Sequence, residues 1–97
     1  MTAPALRVAI VGATGAVGRE MVTILEERRF PVATLRLFAS ARSAGEVLEF
    51  HGEDIAIEDL STRDRAESFD LALFSAGSEL SSEHALDFVE AGAWVVD

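Results

Sequence analysis

The residues whose types and spacing best suit a chemical task are three glycines, Gly12, Gly15 and Gly18, in the run Gly12-Ala13-Thr14-Gly15-Ala16-Val17-Gly18. At such spacing one glycine permits a tight turn, one lets the backbone approach a diphosphate, and one lets a helix pack closely on a strand. The amides that open the helix face the anion, and the helix dipole favours negative charge there. The run therefore predicts a dinucleotide-binding loop, to which Thr14 adds a hydroxyl donor.

The segment after the second predicted strand indicates which dinucleotide this loop binds. NAD-specific sites place an acid there, about 20 residues past the glycines, where it binds the ribose 2′-hydroxyl. This chain has no acid in that region and carries Ser40, Arg42 and Ser43 instead. A guanidinium and two hydroxyls suit a 2′-phosphate, which a carboxylate would repel. The pattern favours NADP, against the simpler alternative of a solvated arginine in a surface loop.

A third segment of small residues, Ser75, Ala76 and Gly77, follows a strand predicted to end at Phe74. Ligands of open parallel sheets bind beyond the carboxyl ends of the strands. We therefore expect this segment to line the adenosine half of a dinucleotide. The alternative is an ordinary turn in which Ser78 or Ser81 caps the following helix, and both interpretations are compatible.

No catalytic constellation is visible in the sequence. The absence of cysteine excludes a disulfide, a thiolate metal site and a cysteine nucleophile within these 97 residues. His51 falls in a predicted hairpin turn, and His84 shares a helical row with Phe88, which indicates a packed or boundary side chain. We predict neither a catalytic residue nor a metal site in this chain.

Strand-like and helix-like patterns alternate along the chain. Strands are predicted at residues 8–11, 35–39, 47–50, 55–58, 69–74 and from residue 94, with helices at about 15–29 and 80–90. This order predicts an α/β, Rossmann-like fold with a mostly parallel sheet, right-handed crossovers and one antiparallel hairpin.

Helical spacing predicts a buried face of the first helix from Val17, Met21, Ile24 and Leu25. In the second helix it groups Val89 with Ala85 and Phe88, and we expect Trp94 in the core. Because nothing follows the last predicted strand to cover it, we expect the chain to be cut within a larger fold.

The composition limits the classes of function. The chain is 49% apolar and 26% charged, which indicates one soluble globular domain at most. Its net charge of −9 argues against general nucleic-acid binding, because the phosphate backbone would repel it. An anionic ligand then needs a local basic site, for which Arg42 is the candidate. No apolar run approaches the roughly 20 residues of a membrane span, and no signal peptide is recognisable, so we expect a cytoplasmic protein without membrane partners.

Four sequence blocks, at residues 8–18, 37–45, 71–77 and 91–97, form a specific combination that covers essentially the whole chain. Together they resemble the N-terminal part of aspartate-semialdehyde dehydrogenases. The resemblance implies that residues 1–97 are the N-terminal part of an NADP-binding Rossmann-type domain. It assigns the cofactor phosphates to Thr14, Gly15, Ala16 and Val17, the 2′-phosphate to Ser40, Arg42 and Ser43, and the adenosine-ribose groove to Ser75, Ala76 and Gly77.

The resemblance also implies a reaction. The family reduces L-aspartyl 4-phosphate to L-aspartate 4-semialdehyde with NADPH, a step that feeds lysine, diaminopimelate, threonine and methionine biosynthesis. Its nucleophile is a cysteine that forms a thioacyl intermediate with the help of a histidine base. Those residues, the substrate arginines and the dimerisation domain lie downstream of this segment. The chain is thus expected to be truncated before the catalytic and dimerisation domain, to be inactive alone, and to derive from a homodimeric or homotetrameric parent with a small-molecule substrate.

Three alternatives remain at this point. N-acetyl-gamma-glutamyl-phosphate reductase shares the chemistry and a similar glycine loop, but the block at residues 40–45 and the hairpin favour the first family. An extended short-chain reductase or epimerase also uses this glycine spacing, and the hairpin argues against it. A non-catalytic NADP-sensing Rossmann module is disfavoured by the resemblance alone.

Overall fold

A computed structural model describes residues 5–13, 16–64, 67–75 and 78–96. Its regular elements are β1 (Leu6–Val11), α1 (Ala16–Glu27), β2 (Val32–Ala39), β3 (Val47–Phe50), β4 (Glu53–Asp59), β5 (Leu71–Phe74), α2 (Ser78–Glu90) and β6 (Trp94–Val96). Within these ranges, six strands form one sheet in the order β3-β4-β2-β1-β5-β6. Neighbouring strands are parallel except in the β3–β4 hairpin. The predicted Rossmann-like α/β fold is confirmed.

The central strand β1 lies at the point where the strand order reverses. It pairs in parallel with β2 on one side, where Ile10 lies opposite Leu37, and with β5 on the other, where Ile10 lies opposite Leu73. The carboxyl ends of these three strands therefore meet at one edge of the sheet, which we call the carboxyl edge. Open α/β sheets bind ligands at such a switch point, and the three segments singled out above follow these three strands.

Each face of the sheet carries its own hydrophobic cluster. On one face, Val22 and Leu25 of α1 pack with residues of β1 and β2. On the other, Phe88 of α2 lies 5.5–6.4 Å, between ring centroids, from Phe38, Phe69 and Phe74. Offset and edge-on ring contacts of this kind are favoured. Since both faces are covered, β1 is buried throughout its apolar run, as expected for a central parallel strand.

The predicted inner face of α1 is wrong in part. Val17 and Ile24 are 57% and 41% exposed, whereas Gly18, Val22 and Leu25 are buried. The cause is Gly18, which a hydropathy pattern does not count as a core residue. Because it has no side chain, Gly18 can lie against Gly12 and Ala13, and the buried face of α1 then runs through Gly18, Val22 and Leu25.

The placement of Trp94 in the core is also wrong, since this side chain is 80% exposed. Ala93 and Val95 pack into the aromatic cluster beneath α2, so the alternation of a strand turns Trp94 to the opposite face. On that face α1 packs against β1 and β3, whereas β6 lies at the far edge of the sheet. Val89 of α2 is exposed for a similar reason, because its neighbour Phe88 takes the inward position.

The single tryptophan should therefore report an exposed indole in the folded protein. We expect the native emission maximum to lie near that of free tryptophan amide, because water surrounds most of the ring. Unfolding in urea should shift it little, while far-ultraviolet circular dichroism records the loss of structure as the control. A native maximum well to the blue, moving to the red on unfolding, would contradict the exposed placement.

Candidate functional site

The glycine segment begins where β1 ends, and two of its glycines fill places that a side chain cannot. Gly12 has a φ of +87°, in the left-handed region that favours glycine. Gly18 lies so close to the turn that a Cβ would stand 2.5 Å from the Gly12 carbonyl oxygen and 2.7 Å from the Ala13 Cα. The tight turn and the close approach of helix to strand expected from these two glycines are therefore both present. Thr14 and Gly15 lie outside the described residues.

Hydrogen bonds hold this turn to both neighbouring strands. The Gly12 amide donates to the Phe38 carbonyl oxygen at 2.8 Å, and the Ala13 amide donates to the same oxygen at 3.3 Å. On the other side, the Ser75 amide donates to the Val11 carbonyl oxygen at 2.8 Å. The Ser75 hydroxyl donates to the Gly12 carbonyl oxygen at 2.8 Å and approaches that of Val11 at 3.2 Å. The ends of β1, β2 and β5 thus form one hydrogen-bonded unit.

The start of α1 suits an anion. The helix begins at Ala16, and its first turn contains no acidic residue. The first amides of a helix have no partner within the helix, and the positive end of the dipole lies beside them. Ala16 and Val17 are exposed at this end. A phosphate that approaches the carboxyl edge therefore meets backbone donors and no repelling carboxylate of the first turn.

The segment after β2 is an ordered turn that carries Arg42. A 3-10 turn spans Ala41–Ser43, and the Ser43 amide donates to the Ser40 carbonyl oxygen at 2.9 Å. The Gly45 amide donates to the Ile57 carbonyl oxygen at 2.8 Å, which fastens the segment to β4. Arg42 is therefore displayed on a fixed turn beside the carboxyl end of β2.

The polar side chains of this turn are free to meet a ligand. Arg42 is exposed, and no carboxylate of the described ranges pairs with it. The Ser40 hydroxyl is exposed and makes no capping hydrogen bond to the turn. Ser43 is half-buried beside them. A guanidinium and a hydroxyl thus stand at the carboxyl edge with their hydrogen-bonding capacity available.

Two other arginines are neutralised by ion pairs. Arg36 of β2 pairs with both Glu58 and Glu67, and Glu67 also pairs with Arg7 at 3.2 Å. The hydrogen bonds that the Arg36 guanidinium donates to Glu58 are the main cause that raises the pKa of Arg36, and burial opposes it. This network ties β1, β2 and β4 together, and its arginines are engaged with carboxylates. The contrast makes Arg42 a local cation in a chain of net charge −9.

The described members of the predicted site all lie at the carboxyl edge. They are Gly12, Ala16, Val17, Gly18, Ser40, Arg42, Ser43 and Ser75. The predicted residues Ala76 and Gly77, like Thr14 and Gly15, lie outside the described residues. Sequence reasoning missed the hydrogen bond from Ser75 to the glycine turn, because only the pairing of β1 with β5 brings the two segments together.

The two histidines lie away from this edge. His51 is exposed in the β3–β4 turn, where its amide donates to the Glu26 carboxylate at 2.8 Å. His84 is buried on α2. In the part of the chain that the structure describes, no group of three or more His, Asp or Glu side chains is placed to hold a metal ion. None of its helices is long and apolar enough to cross a membrane.

Comparison with known proteins gives consistent matches. A family model described as "Semialdehyde dehydrogenase, NAD binding domain" matches residues 7–97. The chain is 52% identical over 92 residues to the aspartate-semialdehyde dehydrogenase of Corynebacterium glutamicum. It is 50% identical over 91 residues to that of Aquifex aeolicus. These alignments cover 93% and 94% of this chain and 27% of each relative.

A solved structure is also similar. The crystal structure of aspartate semialdehyde dehydrogenase II from Vibrio cholerae, complexed with ASA, matches with a TM-score of 0.90 and 45% sequence identity. The match covers 96% of this chain and 30% of the solved chain. The chain thus spans between a quarter and a third of the length of the proteins it resembles.

Proposed function

Since the chain belongs to the family of semialdehyde dehydrogenase NAD-binding domains, we propose that it is the NADP-binding part of an aspartate-semialdehyde dehydrogenase. Residues 1–97 are then the N-terminal part of a Rossmann-type cofactor domain. The observation that carries the choice of NADP is Arg42, an exposed and unneutralised guanidinium on a fixed turn. That turn stands where an NAD site has a carboxylate.

Each segment of the carboxyl edge has a share in binding. The diphosphate lies at the start of α1, where backbone amides from Thr14 to Val17 donate to it. The Arg42 guanidinium and the hydroxyls of Ser40 and Ser43 bind the 2′-phosphate. The segment from Ser75 to Gly77 lines the adenosine half. NADPH, when bound, supplies a hydride to the substrate.

The close approach of Gly18 to the turn supports this assignment. A Cβ at residue 18 would collide with the Gly12 carbonyl oxygen and the Ala13 Cα, so Gly18 lets the start of α1 form a close corner with the end of β1. Such a corner, with no acid in the first helical turn, fits a diphosphate. The residues that are present therefore suit the cofactor.

The reaction of the whole enzyme is, in this proposal, the reductive dephosphorylation of L-aspartyl 4-phosphate to L-aspartate 4-semialdehyde, within amino-acid biosynthesis. A thioacyl mechanism needs a cysteine nucleophile, and these 97 residues contain none. This chain therefore binds and orients the cofactor but makes no bond to the substrate. The substrate site and the homodimer or homotetramer contacts belong to the rest of the enzyme.

A chimera tests this proposal. Residues 7–97 would replace the matching segment of the Corynebacterium glutamicum relative. The purified protein would then be assayed with L-aspartate 4-semialdehyde, phosphate and either NADP or NAD. We expect dehydrogenase activity with a preference for NADP, because the exchanged segment contains the residues proposed to bind the 2′-phosphate. The unmodified relative is the control for activity. A folded chimera that is inactive, or that prefers NAD, would contradict the proposal.

A further inference from the structure

We propose that Ser75 is a positioning residue whose hydroxyl holds the glycine turn in its phosphate-binding conformation. This inference rests on the proposed binding of NADP at the carboxyl edge. It differs from the role expected for Ser75 from the sequence, in which the residue only lines the adenosine groove. The difference follows from where the hydroxyl points.

The Ser75 hydroxyl is directed at the glycine turn. It is half-buried and lies 2.8 Å from the Gly12 carbonyl oxygen and 3.2 Å from that of Val11. The Ser75 amide also donates to the Val11 carbonyl oxygen at 2.8 Å, so the whole residue is fixed against the end of β1. The single hydroxyl proton is therefore engaged by backbone carbonyls of the turn.

The carbonyl that accepts from Ser75 belongs to the Gly12–Ala13 peptide group, which connects the end of β1 to the rest of the glycine turn. The Gly12 carbonyl and the Ala13 amide share one plane, because a peptide unit is rigid. Ser75 binds the oxygen end of this plane at 2.8 Å. The Phe38 carbonyl accepts from the nitrogen end at 3.3 Å. The two bonds together fix how the chain leaves β1 and enters the helix start.

The hydrogen bond from the Ser75 hydroxyl to the Gly12 carbonyl oxygen, which we call the clamp, is needed because of the conformation of Gly12. Its φ of +87° lies in the left-handed region, and glycine adopts positive and negative φ values about equally readily. Gly12 alone therefore does not fix the conformation of the turn. On its far side the Gly12 carbonyl oxygen lies near Gly18, 2.5 Å from the position that a Cβ of residue 18 would take. Without the hydroxyl, the peptide group loses the shorter of its two bonds and keeps only the 3.3 Å bond from the Ala13 amide to the Phe38 carbonyl oxygen. The amides that follow it then no longer point steadily at a phosphate.

The test compares ligands with and without a diphosphate on the purified chain. NADP, NAD and adenosine 2′-phosphate would be titrated by calorimetry into the native chain, Ser75→Ala and Ser75→Thr. Adenosine 2′-phosphate occupies the Arg42 and adenosine parts of the site but lacks the diphosphate. We expect Ser75→Ala to weaken NADP and NAD by about three- to tenfold, the range for one lost hydrogen bond. Adenosine 2′-phosphate should change by less than about twofold, and Ser75→Thr should restore the affinities.

Other results would overturn the clamp. Equal weakening of all three ligands would mean that Ser75 contacts the adenosine half directly. No weakening of any ligand would mean that the hydroxyl has no role in binding. If Ser75→Ala does not fold, Ser75→Cys keeps the volume with a weaker donor and gives the same comparison.

Failure of the proposed function is recognisable separately. In that case neither the native chain nor the chimera binds any of the nucleotides. The clamp is then tested on the backbone amide of Ala13. In Ser75→Ala its resonance should shift and its hydrogen should exchange faster with solvent. An unchanged shift and exchange rate would show that the clamp is absent.

Discussion

Replacing Arg42 by alanine should weaken NADPH binding about tenfold to a hundredfold and NADH binding by less than about twofold, because hydrogen bonds to charged groups are worth about 1.5–3 kcal/mol. The two cofactors differ only in the 2′-phosphate, and Arg42 is the unneutralised cation of the turn after β2. Titration of both cofactors into the native chain and the variant, at one salt concentration, measures the effect.

Two companion variants isolate the cause. Arg28→Ala removes the same charge from an exposed position just after α1, away from the carboxyl edge. It should leave both affinities nearly unchanged, which tests whether net charge alone matters. Arg42→Lys keeps the charge but loses the planar fork of donors, so we expect an intermediate loss. If Arg42→Ala weakens NADPH and NADH equally, the 2′-phosphate assignment is wrong.

Replacing Gly18 by alanine should damage the site and the fold together. The new Cβ would stand 2.5 Å from the Gly12 carbonyl oxygen and 2.7 Å from the Ala13 Cα, and both are backbone atoms that have to move. Alanine gains about 1 kcal/mol of helix propensity over glycine, while overpacking costs about 1–3 kcal/mol. We expect a net loss of unfolding free energy in urea and at least a roughly tenfold loss of NADPH affinity, since the displaced atoms belong to the glycine turn, where we propose that the diphosphate binds.

Gly92→Ala is the matched control for this substitution. Gly92 has a φ of +97°, with no atom near the position of an added Cβ. Alanine there costs roughly 1–2 kcal/mol of backbone strain at the end of α2, away from the glycine turn. It should lower stability and leave NADPH affinity intact. Wild-type stability and affinity in Gly18→Ala would show that the close approach is not required.

The segments that form the carboxyl edge could be predicted from the sequence because their signals are local. A continuous apolar run between glycines indicates a buried parallel strand, and the helix after Gly18 follows from its periodicity. The lengths of the first helix and the second strand then predict where the second strand ends. Because parallel strands end at the same edge of the sheet, Arg42, which follows that strand, is predicted to lie near the glycine turn. Right-handed crossovers between parallel strands also follow from a general rule, whereas the order of the strands in the sheet does not.

The parts that sequence reasoning missed depend on which elements become neighbours. The exposure of Val17 follows from the contact of Gly18 with the glycine turn, and that of Trp94 from which flank of the sheet α1 covers. Hydropathy carries no information on either. The bond from Ser75 to Gly12 joins residues far apart in the chain, and it exists only because β5 pairs with β1 in a particular register. Arg36 likewise meets Glu58 and Glu67 only in the folded sheet.

The central claim is that the carboxyl edge of this chain binds NADP. The most direct test is a titration of NADPH and, in parallel, NADH into the isotope-labelled chain, followed by the shifts of its backbone amide resonances. We predict saturating shifts at Gly12, Gly18 and the Ser40–Ser43 turn, reached at lower concentrations of NADPH than of NADH. Equal affinity for both cofactors, no shifts, or shifts confined to the β3–β4 hairpin would contradict it.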